Sequence, residues 1–441
     1  MTLDELKTIA RENGVVGAGG AGFPSYAKMT EKADTVILNC VECEPLLKLH
    51  RQLLAAHGQD IVKMLDLVRD AMGAKEAVIG IKSEYKETID AISGVVDQYE
   101  NVRIHTLRSA YPMGDEVVLI YEVTGRVIRP GGLPIDENVV VYNVETMYNL
   151  YRAAFEGTPV SDKVVSIVGE IDTPKTLRLP LGMRVEDAVR LAGKVTTPHP
   201  VYLMGGPMMG RFGSKDTVIT KTTNAIIILP EGHKLKQKAN KDLRTEKRRA
   251  SSACCQCRTC TDLCSRHALG HPIEPHRVMR AVSGGDSADL SVFVNTMYCS
   301  GCGICEMYAC PQGLSPKTII QEFKGALRKG GIKPEAIESS PVAEGREERK
   351  VPVHRLAMRL GLSQYDKEAP LYDSCTEAGT VSIPLGQHIG APAKAVVKKG
   401  DQVKKGQQIA QAAEGLSVGI HSSIDGVILS VSETDIKIEK R

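Results

Sequence analysis

Residues 254–264 read CCQCRTCTDLC and residues 299–310 read CSGCGICEMYAC, five cysteines in eleven positions and then four in twelve. The first window carries Cys254, Cys257, Cys260 and Cys264 in the spacing C-x2-C-x2-C-x3-C. The second carries Cys299, Cys302, Cys305 and Cys310 in the spacing C-x2-C-x2-C-x4-C, with Pro311 following. Three thiolates at x2 spacing wrap one face of an iron–sulfur cubane, and a distant fourth closes it. Zinc is the competing ligand, but zinc ribbons pair two C-x2-C knuckles, each giving two ligands rather than three. The spacing therefore predicts two [4Fe–4S] clusters.

In two-cluster ferredoxins the fourth cysteine of each run ligates the other cluster. Applied here, one cluster takes Cys254, Cys257, Cys260 and Cys310, and the other takes Cys299, Cys302, Cys305 and Cys264. Ser265 stands where a proline usually follows the fourth cysteine, and Cys255 offers a spare thiol, read as a bystander. Cys40, Cys43 and Cys375 lie apart from both windows and are expected as buried small side chains.

The remaining composition narrows the setting. A chain of 441 residues with 42% hydrophobic content accommodates about three domains. Its net charge of +3, from 56 basic and 53 acidic residues, gives no global reason to bind nucleic acid or an anionic membrane. The N-terminal MTLDELKTIARENG carries acids and no apolar signal core, and no stretch reaches the roughly 18 to 20 apolar residues of a membrane span. The expectation is a cytoplasmic protein, in which clustered thiols serve metal rather than disulfides. The basic run HKLKQKANKDLRTEKRR, 233–249, reads as a solvated linker rather than a docking patch.

Alternating β-rich runs (35–39, 77–81, 102–107 and 139–143) and helix-compatible stretches predict an α/β domain with a mostly parallel, Rossmann-like sheet over residues 1–158. One long helical stretch, LLKLHRQLLAAHGQDIVKMLDLVRDAMG, ends at Gly73. Residues 159–232 read as a small α+β module around the amphipathic VEDAVRLAG. A linker at 233–250 precedes the two-cluster, ferredoxin-like helical region at 251–330. A polar connection at 331–374 leads to a compact all-β module at 375–441 with turns at Gly400-Asp401 and Asp425-Gly426.

Clusters move single electrons, so a donor site is expected elsewhere in the chain. GAGGAGFPSYAK, 17–28, places Gly17, Gly19, Gly20 and Gly22 where backbone can approach a bound group, with Pro24 suited to a helix start facing a phosphate. A plain tight turn is the alternative. Three further segments support the first reading: NCVECEP at 39–45, GDE at 114–116 and YNVET at 142–146. Together these motifs resemble the flavin-bearing, NADH-oxidising subunit of respiratory complex I and the C component of Rnf complexes. The resemblance implies FMN, with its phosphate near the glycine loop and Lys28 and its other contacts from Asn39, Glu42, Asn143 and Thr146. It also implies that Phe23, Asp115 and Glu116 face NADH. Asp115 replaces the glutamate usual in those relatives. For Glu42, Glu44, Asp115 and Glu116 the alternative is a set of solvated surface acids.

The 159–232 module resembles a soluble-ligand-binding β-grasp domain, and the C-terminal module resembles a biotinyl/lipoyl-like barrel sandwich. Gly415 stands where a carrier lysine would sit, so no nucleophile is present for a swinging arm. The order flavin domain, β-grasp, cluster region, barrel resembles the cobalamin reductases of propanediol-utilisation bacterial microcompartments. That resemblance implies an NADH-dependent flavoprotein that reduces cob(III)alamin toward cob(I)alamin, in contact with an adenosyltransferase and microcompartment components. The alternatives are an Rnf-type electron-input component feeding ferredoxin or a membrane partner, and a non-redox scaffold.

Overall fold

A computed structural model describes residues 1–282, 284 and 289–441. In the N-terminal domain β1 (Thr35–Cys40), β2 (Glu76–Lys82) and β3 (Val102–Leu107) are followed by the short β4 (Ala110–Tyr111) and by β5 (Val139–Asn143). The parallel sheet has the order β3-β2-β1-β5. β1, β2 and β5 are apolar runs because helices cover both faces, so side chains on each side of the pleat are buried, whereas the edge strand β3 exposes Arg103 and Thr106. Leu38, Ile79 and Val140 pack into one core and Ile37, Val78 and Val141 into another.

Helices α1 (Leu3–Glu12), α2 (Leu49–Ala56), α3 (Gly58–Ala71), α4 (Lys86–Val96), α5 (Glu116–Thr124) and α6 (Val144–Phe155) surround that sheet. Thr2 and Glu5 close a reciprocal capping box at the start of α1. Asp115 and Asn143 cap α5 and α6. The single helix expected before Gly73 is two helices broken at His57, whose backbone lies at φ −124°.

The second module has β6 (Asp162–Gly169), β7 (Lys175–Pro180), α7 (Val185–Ala192), β8 (Pro200–Met204), β9 (Arg211–Gly213) and β10 (Ala225–Pro230). Its mixed sheet runs β12-β7-β6-β10-β8-β9, where β11 (Val351–Pro352) and β12 (Leu371–Cys375) come from the stretch expected as a plain connection. β11 pairs with β4 of the first domain. The polar 331–374 segment thus contributes strands to two domains. Its pairing partners are more than 170 residues upstream, beyond the reach of any local pattern. The expected linker at 233–250 is likewise ordered, as the helices Lys234–Ala239 and Leu243–Ala253.

The C-terminal module holds two small sheets, one of four strands and one of three. Val381, Ile383, Ile428, Ile436 and Ile438 merge with Val165, Ile167 and Leu177 of the mixed sheet in one core, so these two modules pack as one body. A buried ion pair joins the N-terminal domain to the mixed sheet: Lys163 Nζ lies 2.5 Å from Glu145 Oε2, and Glu145 Oε1 accepts from Val164 N at 3.0 Å. No helix among the described residues is long and apolar enough to cross a membrane.

Candidate functional site

The strand order reverses between β1 and β5, and in open α/β sheets ligands bind beyond the carboxyl ends of the strands at such a switch point. Asn39 and Asn143 are register partners at that edge. Asn39 Nδ2 donates to Gly114 O at 3.1 Å and its Oδ1 accepts from Val41 N at 3.0 Å, which ties β1 to the loop before α5. Asn143 Oδ1 accepts from Glu145 N at 2.9 Å, leaving its amide nitrogen 3.1 Å from His50 Nε2.

The glycine loop lies against Asn143. Its neck is closed by Gly17 N donating to Phe23 O at 2.9 Å and Ser25 N donating to Val15 O at 3.1 Å. Thr146 Oγ1 accepts from Ala18 N at 2.9 Å and donates to Val16 O at 3.3 Å, so its hydroxyl holds the loop. A Cβ on Gly19 would come within 2.5 Å of Asn143 Nδ2, whereas one on Gly20 would meet nothing within 4 Å. Gly22 takes φ +76°, which only glycine adopts readily. The loop is therefore open at Gly20, where a bound group can reach the backbone, and closed by protein at Gly19 and Gly22.

The helix start expected at Pro24 is a single 3-10 turn, Ser25–Lys28. It is too short to build a dipole, so the local positive charge comes from Lys28. Its Nζ lies 3.0 Å from Glu116 Oε1 and 3.2 Å from Val141 O, with the Phe23 ring 6.0 Å away. These residues bring a cation, an acid and an aromatic face to one edge.

The other acids turn inward. Glu42 is buried and accepts from the backbone of His50 at 2.9 Å and Arg51 at 3.2 Å, at the start of α2. Burial raises its pKa, and burial pushes that of His50 down to about 3. Glu44 accepts from Met208 N and Met209 N at 2.9 and 3.0 Å, and burial pushes its pKa up to about 7. Asp115 accepts from Val117 N and Val118 N and pairs with Arg266 at 2.9 Å. Of the four acids read as surface candidates, only Glu116 sits at the loop edge with Lys28.

The cysteines fall into two sets. One cavity is lined by Cys254, Cys257, Cys260 and Cys310, with Cys255 at its wall, and a second by Cys264, Cys299, Cys302 and Cys305. Each set takes its fourth thiol from the opposite window. Burial together with Cys254, Cys310 and Cys257 pushes the Cys260 thiol up to about 12. Cys305 is raised by burial and by Cys299, Cys302 and Cys264. All twelve cysteines are free. Among the described residues no three His, Cys, Asp or Glu side chains close on one point as a single ion needs. Four thiols line each cavity, the number that a cubane takes.

Donors to the sulfurs come from residues that no spacing rule marks. Gln256 Nε2 donates to Cys254 Sγ at 3.2 Å, Thr259 Oγ1 to Cys257 Sγ at 3.3 Å and Gly301 N to Cys299 Sγ at 3.3 Å. Such bonds tune cluster potentials. Positive φ at Gln256, Arg258, Gly301 and Gly303 turns the backbone around the thiols.

The second set abuts the flavin-type domain. Tyr111 Oη donates to Cys302 O at 2.7 Å, and Arg266, two residues after Cys264, holds Asp115. Lys317 Nζ donates to Met208 O at 2.8 Å on the peptide segment that Glu44 anchors. The first set faces outward, with Cys255 and Cys257 exposed, while Cys305 of the second is buried. On the opposite side the barrel leans on the glycine loop. Ile389 N donates to Gly22 O at 3.1 Å, and Tyr26 Oη donates to Gly415 O at 3.2 Å. Gly415, the position a carrier lysine would occupy, is therefore pinned to the flavin-type domain.

A glycine loop at a switch point, in a domain whose β4–α5 segment contacts one of two sets of four thiols, defines an oxidoreductase that carries a flavin and iron–sulfur centres. Matching domain families agree: the Nuo51 FMN-binding domain covers residues 10–152, the SLBB domain 164–212, the 4Fe-4S dicluster domain 253–315 and the RnfC barrel sandwich hybrid domain 366–441. The chain is 39% identical over 440 residues to cobalamin reductase PduS of Salmonella typhimurium, covering 99% of this chain and 97% of that protein. It is 38% identical over 442 residues to cobalamin reductase PduS of Citrobacter freundii, with the same coverage. The C component of the Na(+)-translocating ferredoxin:NAD(+) oxidoreductase complex of Acetobacterium woodii is 28% identical over 274 residues, 60% of this chain and 59% of that one. The chain belongs to the PduS cobalamin reductase family.

Proposed function

We propose that this protein takes electrons from NADH and delivers them singly to cob(III)alamin, reducing the substrate cobalt toward Co(I) for adenosylation. When bound, FMN accepts a two-electron hydride and releases electrons one at a time, and each of two [4Fe–4S] clusters carries one. The observation that carries this reading is the contact between the β4–α5 segment, which also carries Glu116 of the loop edge, and the second cysteine set, made by Asp115 with Arg266 and by Tyr111 with Cys302. The corrinoid substrate rests on full-length similarity to the two PduS proteins.

No side chain in this scheme needs to act as acid or base. The loop amides at Gly19 and Gly20, with Lys28, hold the flavin phosphate, and Asn39, Asn143 and Thr146 fix the crevice beneath it. Glu42 keeps α2 in place against that crevice. Phe23 and Glu116 line the donor's approach, and Asp115 holds the cluster region in register. Cys254, Cys257, Cys260 and Cys310 hold the outer cluster, and Cys264, Cys299, Cys302 and Cys305 the inner one. The pinned barrel buttresses the loop. On this reading the protein works beside an adenosyltransferase inside a bacterial microcompartment.

Anaerobic purification with flavin and iron quantitation, followed by NADH-driven reduction of aquacobalamin or of ferredoxin, tests the reading. Bound FMN, eight irons per chain and corrinoid reduction are expected. Reduction of ferredoxin but not of the corrinoid would overturn the substrate assignment.

A further inference from the structure

The outer cysteine set has Cys257 at the surface, with the neighbouring Cys255 exposed beside it, so this set opens to solvent there. The helix Leu243–Ala253 runs directly into Cys254. It buries Glu246 and Ala250 against the cluster region and turns Arg244 and Arg248 outward. Residues four apart lie on one helix face. Arg244, Lys247, Arg248 and Ser251 border a surface depression beside Val282. At 1.5 Å per residue, Arg248 lies about 9 Å and Arg244 about 15 Å along the axis from Cys254.

Among the described residues this face carries an excess of positive charge. Residues 233–249 hold eight lysines and arginines against two acids, a larger excess than the +3 of the whole chain. On the helix, Lys247 pairs with Glu322 at 3.7 Å and Arg249 with Glu246 at 2.8 Å. Arg244 and Arg248 make no salt bridge among the described residues. Exposed Arg258, paired with Asp262 at 3.3 Å, adds a cation at the rim of the outer set. The run read from sequence as a solvated linker is therefore an ordered cationic face beside the exposed thiols.

We propose that this face, centred on Arg244 and Arg248, docks an acidic protein surface and so places a partner against the outer cysteine set. The inference deepens the reductase reading and rests on it for the direction of electron flow. Complementary charge raises the rate of encounter and fixes orientation, and salt screens it.

Direct binding tests the proposal on the full-length protein loaded with flavin and iron, with cytochrome b5 as the acidic probe protein and cytochrome c as the basic one. Without NADH, at low ionic strength, cytochrome b5 should bind more tightly than cytochrome c and should dissociate as salt is added. Arg244→Glu with Arg248→Glu should weaken cytochrome b5 binding by about tenfold or more. The same charge change at exposed Lys398 and Lys399 on the barrel should leave it unchanged. Arg244→Gln with Arg248→Gln, a smaller change, should give an intermediate loss and serves if the double glutamate variant loses iron. Wild-type affinity in both arginine variants, or equal loss in the barrel variant, would overturn the proposal. Because binding is read without NADH, this failure is separate from a failure of the protein to be reduced by NADH.

Discussion

Arg266 Nη2 lies 2.9 Å from Asp115 Oδ1, and this pair joins the start of α5 in the N-terminal domain to the segment that supplies Cys264. Both side chains are largely shielded from water, so the pair cannot be broken on one side without leaving the other charge unmatched. Asp115→Ala removes the helix cap as well and should cost about 3 kcal/mol or more in urea unfolding. Asp115→Asn keeps the cap and should cost less. In both variants NADH should still reduce the flavin while iron–sulfur bleaching slows; unchanged bleaching would remove Asp115 from the connection.

The crossed cysteine sets predict which variants behave alike. Cys264→Ser should alter the same electron paramagnetic resonance signal as Cys302→Ser, and Cys310→Ser the same one as Cys257→Ser. A pairing by window, with Cys264 matching Cys257, is the contrary result. Cys255→Ser should leave both signals and the iron content intact.

The glycine loop gives a steric prediction. Gly19→Ala sets a methyl group 2.5 Å from Asn143 Nδ2 and should weaken FMN binding about tenfold, the equivalent of about 1.4 kcal/mol of overpacking. Gly20→Ala meets no protein atom within 4 Å, so any loss of flavin there reports the ligand's own approach to the loop. Fluorescence titration of the apoprotein with FMN measures both. Equal, undiminished affinity in the two variants would argue for a plain turn.

Lys221 predicts a pH dependence of stability. It is fully buried where three domains meet, donating to Gly14 O at 2.7 Å and to Gly419 O at 3.2 Å, and burial pushes its pKa down to about 7 from the ordinary 10.5. Between those values the unfolded chain binds a proton that the native chain does not, so stability should rise with pH across that window. Below pH 7 this group contributes no slope, because it is protonated in both states. Lys221→Met should flatten the rise in denaturant titrations between pH 7 and 10. An unchanged slope would assign it to other groups.

The sequence was most informative where chemistry depends on short spacing. Cubane ligation needs thiols three residues apart, so both cysteine windows were legible, and the crossed sets followed from two-cluster ferredoxins and were then found lining two cavities. The parallel sheet was legible because its strands are continuous apolar runs. Glycine spacing marked the loop, and the motifs at Asn39 and Asn143 marked the strand ends that prove to be register partners. What stayed hidden depends on residues far apart in the chain. Glu42 was expected to contact FMN and Asp115 to face NADH, with exposed surface acids as the alternative for both and for Glu44; all three are instead held by His50 and Arg51, Arg266, and Met208 and Met209, partners brought to them only by folding. The strand at 371–375 has no apolar signature of its own strong enough to declare it; pairing with β7 creates it. Local pattern thus marked the two thiol sets, the glycine loop and most helices and strands. Tertiary packing alone decided which acids are held internally, that the barrel tip is pinned beside the glycine loop, and that the inner cysteine set meets Tyr111 of the N-terminal domain while Cys257 of the outer one meets solvent. Hydrogen bonds and ion pairs act only over a few ångströms, and sequence distance does not encode that proximity.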